Sequence, residues 1–395
     1  MKKSILILGG DGYLGWPVAM NLSNNGYAVT VIDNYFRRTA VKSLGLKFLV
    51  DPPNLIERAK KWYELTGNEI KVKIADLSNP ETLTNFFNLN MSYDWCVEKN
   101  YDLPIALIHF AEQPSAPYSL IDVNFANKTL FNNLTVTNNV MFAIKNFSKS
   151  THIIKLGTMG EYGTPNIDIE EGWINISHKG REDTFLFPRQ ASSIYHTSKI
   201  MDTDLLWFGT RTWGLKVTDL MQGPVYGVFT KESVLSEDLM PFYNYDEIFG
   251  TIINRFIVQA ALDYPLTVYG SGTQIRGYLN LTDTLQCIQK AILNPPNFGE
   301  MNIFNQIMET FNVNEIAERI CNALLSENIH VKVKKIKNPR VEKENHYYNP
   351  TYQSLIKLGV KPNLLSKDVI LQIYNYVSKF KENIDRDIII KGIKW

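Results

Sequence analysis

Ser4-Ile5-Leu6-Ile7-Leu8-Gly9-Gly10-Asp11-Gly12-Tyr13-Leu14-Gly15 is the stretch on which the fold turns. The apolar run Ile5 to Leu8 is what a parallel strand buried on both faces requires. The glycine turn directly behind it opens a helix near Gly15 that carries Val18, Ala19 and Leu22 inward and ends at Asn24-Asn25-Gly26. Ala28-Val29-Thr30-Val31-Ile32 is a second strand, stopping at Asp33, eighteen residues beyond Gly15. That is near the interval at which a ribose-binding acid follows a dinucleotide turn, so the segment reads as a βαβ unit with a phosphate site at its helix N-terminus.

Working outward, strands are expected at Val72 to Ala75, Ala106 to Phe110, Ile153 to Leu156 and Val217 to Leu220, with helical stretches such as Phe125 to Phe147 between them. This alternation predicts an α/β fold, a Rossmann-type doubly wound parallel sheet. Beyond Gly223 the rhythm changes to a helix near Ile248 to Leu262, a strand Leu266 to Tyr269, and helices near Thr282 to Leu293 and Val313 to Leu325. A dinucleotide-binding domain over 1–222 is therefore expected, with a smaller, partly interleaved α/β substrate-binding lobe over 223–395. The chain is expected to return to the first domain near 276–305.

The length of 395 residues and 45% apolar content suit two lobes around a large core. Lysine plus arginine, 41, nearly cancels aspartate plus glutamate, 40, so no global field recruits nucleic acid or an acidic membrane. Cys96, Cys287 and Cys321 are odd in number and widely spaced, which fits neither a disulfide framework nor a zinc site. No metal is expected, and a reducing cytoplasm is. Ser4 to Leu8 is too short for a signal segment and runs straight into the glycine turn.

Gly9, Gly12 and Gly15 would make the tight turn, admit a pyrophosphate against the backbone and let helix pack on strand, with Tyr13 and Leu14 beside the cofactor. Asp33, with Asn34, would accept hydrogen bonds from the adenosine ribose and repel a 2′-phosphate, favouring NAD over NADP, although Arg37 and Arg38 stand close by. Asp76-Leu77, just after a strand, either contacts adenine or is a strand-end turn. Downstream, Tyr195 and Lys199 fall one helical turn apart, so that the ammonium can draw the phenol from its usual pKa of about 10 towards working pH. With Thr158 as hydrogen-bond partner, the trio can take a proton from a sugar alcohol while hydride leaves its carbon.

These residues resemble the extended short-chain dehydrogenase/reductases that act on nucleotide sugars, and within them the UDP-sulfoquinovose synthase family. The likeness spans nearly the whole chain. It is carried by Gly9 to Tyr13, Asp33-Asn34 with Arg37-Arg38, Ser115-Ala116-Pro117-Tyr118-Ser119, the unbroken run Lys155 to Gly172, Gln190 to Ser193, Leu266 to Gly270, Arg276 to Leu279 and Asn338 to Glu342. The resemblance implies a UDP-sugar-binding second lobe and conversion of UDP-glucose and sulfite to UDP-sulfoquinovose with a tightly held NAD. Oxidation at C4, loss of water across C5 and C6, sulfite addition at C6 and re-reduction of C4 would follow one another. It also implies a homodimer or higher homo-oligomer, through helices flanking the catalytic one, and leaves room for a sulfite-donor protein.

Relatives that are 4,6-dehydratases carry Asp-Glu after the threonine, where this chain has Met159-Gly160, so the elimination acid and base must come from elsewhere. His196 is the first candidate and Glu161 the second. Arg276 and Arg340 match positions used for nucleotide-sugar phosphates. Gln113, Gln190, Gln222, Asn254-Arg255 and Tyr269 are substrate candidates, and His346 beside Tyr347-Tyr348 reads as packing. The interval from Thr158 to Tyr195 holds an insertion over Ile167 to Arg181 that suits a lid or an oligomer contact, its acids Asp168, Glu170 and Glu171 being structural at least in part. Pro114 and Met221 depart from plant members, which have Arg and Asn there. A UDP-sugar 4-epimerase or 4,6-dehydratase is the alternative within enzymes, and a non-catalytic cofactor-binding regulatory protein the alternative outside them.

Overall fold

In the computed structural model, which describes residues 2–88, 103–338 and 346–391, the strand Ser4–Leu8 is buried along its whole length. It lies inside a sheet of seven strands in the spatial order Met301–Gln306, Lys216–Gln222, His152–Thr158, Ala106–His109, Ser4–Leu8, Ala28–Asp33, Ile70–Ile74. Every pairing in it is parallel. Alternate residues feed opposite cores. Ile5 and Ile7 pack with Trp16, Leu22, Trp62, Leu285 and Ile288, while Leu6 and Leu8 pack with Val136, Val140, Ile144 and Leu206. The doubly wound fold expected from the alternation of elements is the one observed. The chain order reverses between Ser4–Leu8 and Ala106–His109, and a crevice at the carboxyl ends of the strands follows from that reversal.

A second core gathers the helices Ile252–Ala261, Val313–Leu325 and Lys367–Lys379 around two small sheets. In one, Leu266–Tyr269 pairs in parallel with Val333–Ile336. In the other, Ile275–Asn280 lies between Glu309–Asn312, antiparallel, and Val225–Tyr226, parallel. From there the helix Leu281–Leu293 packs into the first core, and Met301–Gln306 joins the edge of the seven-stranded sheet. The helix expected from Ile248 begins only at Ile252. Asp246 holds the preceding residues in a turn, its carboxylate accepting from the amides of Ile248 and Phe249 and its carbonyl from that of Gly250. Among the described residues, no helix is long and apolar enough to cross a membrane.

The insertion forms a hairpin, Trp173–His178 with Arg181–Leu186, turned by Lys179 and Gly180 at φ of 52° and 76°. Before it, Ile169 bridges to Pro350, and Asp168, Glu170 and Glu171 bond to Asn349, Thr351 and Ser354 respectively. These acids are staples to the C-terminal segment.

One buried charge cluster shapes the glycine turn. The Asp11 carboxylate accepts from Arg38 Nε at 2.7 Å and Nη2 at 2.9 Å and from Arg58 Nη2, while its amide donates to Asp33 Oδ2 at 2.9 Å. Arg58 has no exposed surface and lies over the rings of Trp16 and Phe242 at 4.8 and 5.5 Å. Burial pushes its guanidinium down to about 10 against the pull of Asp11. Arg38 also donates to the carbonyls of Pro52 and Pro53. Its expected place beside the cofactor is thus corrected: its donors are spent on the turn's own scaffold. Arg58→Met should destabilise the protein by about 3 kcal/mol, because it leaves a buried carboxylate under-paired; urea unfolding monitored by tryptophan fluorescence measures the loss.

Candidate active site

The glycines do different work. Gly9 has φ of +84°, and a Cβ there would lie 2.6 Å from the carbonyl carbon of Phe110. A Cβ on Gly15 would stand 2.0 Å from the Gly9 oxygen, so helix and turn touch only because it is absent. At Gly12 the nearest atom would be 3.6 Å away, which leaves the backbone open for a ligand to approach. Gly9, Gly12, Tyr13, Leu14, Gly15, Asp33, Asn34, Arg37, Asp76 and Leu77 all line one wall of a cavity of about 510 Å³. Burial, then the neighbouring Asp11 carboxylate, pushes the Asp33 carboxyl up to about 6 despite amide bonds from Asp11 and Tyr35. Arg37 lies over the Phe249 ring at 4.2 Å, and burial pulls it down to about 10. Asp76 closes a turn, accepting from the Ser78 amide, and lines the cavity. An open backbone nest, a cavity-facing carboxylate and a half-buried cation fit a dinucleotide such as NAD.

Thr158 and Gln222 end adjacent strands in register and face the same cavity. The Gln222 side chain donates to Gln306 Oε1 at 3.0 Å and Thr284 Oγ1 at 3.3 Å. The helix Ile194–Trp213, capped by Ser193, brings Tyr195 and His196 to the cavity in its first turn. Thr158 lines the cavity with Tyr195 and works against the upward shift of its phenol, and the Tyr195 amide donates to Ser119 Oγ at 3.1 Å. Lys199 pairs with Glu112, which lines the cavity. Burial alone pushes Lys199 down, but Glu112 and Asp202 outweigh it and hold the ammonium above its ordinary value. Tyr195 is held up by burial, then by Glu112 and Glu161, against Lys155 and Thr158. The sequence expectation that Lys199 draws the phenol down is therefore met by a counter-charge, Glu112, that occupies the ammonium.

His196 is half-buried, with Nδ1 3.0 Å from Ser192 Oγ. Burial, then the Arg276 guanidinium, pulls it down to about 4, so it is neutral at working pH. Glu161 is a different case and corrects its catalytic candidacy. It is fully buried and does not line the cavity; its oxygens accept from the Thr158 amide, Lys155 at 3.4 Å and Arg189 at 2.8 Å. Gln113 is likewise fully buried, its side chain donating to Ser115 O and Thr129 Oγ1, each at 2.9 Å. It shapes a loop and has no surface for a sugar. The Gln190 side chain is exposed and off the cavity wall, its amide bonded to the Glu161 carbonyl.

At the far end Arg255, Tyr269 and Arg276 line the cavity. Arg255 lies over the Tyr269 ring at 4.3 Å and 3.7 Å from Glu247, which also receives the Tyr269 hydroxyl. Arg276 donates to His346 Nε2 at 2.9 Å, which gives that histidine a polar task beyond packing. Arg340 lies outside the described residues. Among these, none from 167 to 187 lines the cavity, where the insertion suggested a lid; the loop Asp246 to Thr251 lines it instead. The first residue of the hairpin, Trp173, packs on Trp207 of the helix Ile194–Trp213 with ring centroids 4.8 Å apart.

Sequence reasoning passed over Glu112, Lys155, Asp219 and Arg58. Lys155 and Asp219 left a signal, a charge inside each of two apolar strand runs, and they pair across the strands at 3.2 Å.

Residues 5–305 match the model of the NAD dependent epimerase/dehydratase family. The chain is 44% identical over 394 residues to UDP-sulfoquinovose synthase, chloroplastic, of Spinacia oleracea, covering 100% of this chain and 79% of that one. It is 39% identical to UDP-sulfoquinovose synthase of Sulfolobus acidocaldarius, covering 99% and 97%. Among solved structures it superposes on UDP-glucose 4-epimerase from Bifidobacterium longum in complex with NAD+ and UDP, with a TM-score of 0.68 at 17% identity, over 97% and 100% of the chains.

The raised Asp33 carboxyl has a consequence for binding. A ribose diol is best held by the ionised acceptor, so NAD affinity should fall as pH drops through about 6, approaching tenfold per unit below it. Titration calorimetry between pH 5 and 7.5 checks this, and Asp33→Asn should bind weakly with a flat profile.

Proposed function

The chain belongs to the NAD dependent epimerase/dehydratase family and, within it, to the UDP-sulfoquinovose synthases, and on that premise we propose that it joins sulfite to UDP-glucose to form UDP-sulfoquinovose. The observation that carries the reading is one cavity lined by the Tyr195 phenol, Thr158 and, beside the phenol, a neutral imidazole with no neighbouring dehydratase acid. Two proton-handling groups of different kinds suit a reaction that oxidises C4 and also eliminates across C5 and C6.

NAD, when bound, exchanges hydride with C4 of the glucose ring. Gly12 backbone, Asp33 and Arg37 are the groups to hold it; Arg255 and Arg276 are the cations to hold the UDP phosphates. Tyr195 takes the proton from O4, held in line by Thr158, and gives it back at the end. The C4 ketone acidifies the C5 hydrogen. His196 takes that proton and passes it to O6, so that the C5–H and C6–O bonds break, a C5–C6 double bond forms and water leaves with no change of redox state. Sulfite then bonds to C6 through sulfur, and C5 regains a proton through His196. The loop Asp246 to Thr251, part of the cavity lining, limits the bulk water that competes with sulfite.

The reading extends to assembly and setting. Val123, Phe131 and Phe142 on the helix Val123–Phe147, with Met201 and Phe208 on the neighbouring Ile194–Trp213, are exposed apolar side chains that support a homodimer through these two helices. Cys287 and Cys321 are free thiols, which suits a reducing cytoplasm.

Mass spectrometry of the protein incubated with UDP-glucose and NAD, with and without sulfite, tests the activity. A UDP-sulfosugar that forms only with sulfite is expected; UDP-galactose or a 4-keto-6-deoxy product, indifferent to sulfite, would place the chain with epimerases or dehydratases instead. Tyr195→Phe should lower C4 oxidation at least about a hundredfold while NAD still binds.

A further inference from the structure

Gly160 poses a question of space and not of backbone. Its φ is not positive, so nothing in the turn Met159–Glu161 demands a glycine there. Its amide donates to Thr158 Oγ1 at 3.2 Å, a bond any residue except proline could make. A Cβ on Gly160, however, would stand 2.2 Å from His196 Nε2, 2.5 Å from its Cδ2 and 2.7 Å from its Cε1. The imidazole fills the place where a side chain would begin.

The ring has little room to yield. Its Nδ1 is 3.0 Å from Ser192 Oγ, its own backbone amide is fixed to Ser193 Oγ at 3.1 Å, and its centroid is 5.1 Å from that of Tyr195. Arg276 is the charged group that bears on it from the second lobe. The imidazole is thus clamped between the turn after Thr158 and the phenol of Tyr195, with Gly160 as one jaw.

We propose that Gly160 is a positioning residue, whose missing side chain is what lets His196 stand beside Tyr195 and Thr158 and carry the C5 proton to O6. The inference rests on the synthase reading given above. It divides the reaction at residue 160. Proton transfer at O4 depends on Tyr195 and Thr158, while breaking of C5–H and C6–O depends on a ring that a single methyl group at position 160 would displace.

The test compares wild type, Gly160→Ala, His196→Ala and the double variant, each as the full chain with NAD and UDP-glucose in deuterium oxide. Gly160→Ala should still oxidise C4, seen as nicotinamide absorbance, but lose C5 deuterium incorporation and sulfite-dependent product by at least about a hundredfold, matching His196→Ala. The two substitutions should not compound, since both remove one function. Wild-type deuterium exchange in Gly160→Ala, or losses that multiply in the double variant, would overturn the proposal. If Gly160→Ala melts too low to assay, the double variant should melt as His196→Ala does, the struck ring being gone; a double variant as unstable as Gly160→Ala also overturns it.

A substrate-free measurement separates this proposal from the reading beneath it. The His196 imidazole, identified by its loss in His196→Ala, should titrate near 4 in wild type, and a ring driven out of its pocket in Gly160→Ala should titrate closer to its ordinary value of about 6.5. An unchanged titration overturns the positioning role. Failure of wild type itself to exchange C5, with the titration shifted as expected, would sink the synthase reading and leave the steric relation intact.

Discussion

An ammonium with no access to water, that of Lys155, ties together the elements on which the reacting groups stand. It donates to Thr203 Oγ1 at 2.8 Å, to the Lys199 carbonyl at 3.1 Å, to Asp219 at 3.2 Å and to Glu161 at 3.4 Å. Lys155 and Asp219 lie on adjacent strands, Thr203 and Lys199 on the catalytic helix, and Glu161 in the turn after Thr158. Burying such charges costs several kcal/mol each before their mutual attraction offsets it, so the network is weak evidence for stability. Its geometric effect is clearer. The helix carrying Tyr195 and the strand end carrying Thr158 are bonded to one atom, and their separation is fixed by it.

The same layer sets the charge felt by the phenol. Arg189 and Lys155 face Glu161 and Asp219, while Lys199 faces Glu112, with Asp202 buried behind it and pushed well above the ordinary carboxyl range by burial and then by Glu112. Cations and carboxylates nearly balance, and the field at Tyr195 is decided by small displacements among them. A Lys199 turned from Glu112 would favour phenolate; paired as it is, it favours phenol. Glu112 stands at the end of the central strand Ala106–His109, where a ligand in the crevice of a doubly wound sheet comes closest to the chain. It is the group through which cofactor binding and the proton state of Tyr195 can be linked.

Much of this was legible from residue pattern, and the failures have physical causes. Buried strands announce themselves by unbroken apolar runs, and the glycine turn by the shortage of space at Gly9 and Gly15, so the sheet and the cofactor wall could be read directly. Arg37 and Arg38 could not be told apart, because consecutive residues on a helix point about 100° apart and only the tertiary structure says which side faces the cavity. Arg37 does; Arg38 turns to Asp11. Gln113 adjoins Glu112 and Pro114, and Glu161 follows Thr158 by three residues, all groups that line the site, yet both bond inward. The hairpin was read as a possible cover because it lies between Thr158 and Tyr195 in sequence, whereas the cavity is lined by residues 246–251, far along the chain. Proximity along the chain is a poor guide wherever two lobes close on one cavity.

The helix Ile194–Trp213 sets Tyr195 and His196 against different neighbours, as the proposed division of labour between them requires. The two residues are adjacent, so their side chains diverge by about 100°, one towards Thr158 and the other towards Gly160 and Ser192. Both lie in the first turn, where amides without intrahelical partners, that of Tyr195 donating to Ser119 Oγ and that of His196 to Ser193 Oγ, and the helix dipole place partial positive charge. That charge favours phenolate over phenol and imidazole over imidazolium, so a single feature of the backbone acts on both residues in the senses that the proposed reaction requires. A base pair built instead from carboxylates in the turn after Thr158 would need side chains where this chain has the buried Met159 and Gly160, whose Cβ position the His196 ring fills. With Glu161 bonded inward to Lys155 and Arg189, that turn presents no acid to the cavity, which on the proposed reading leaves fewer like charges facing an anion such as sulfite.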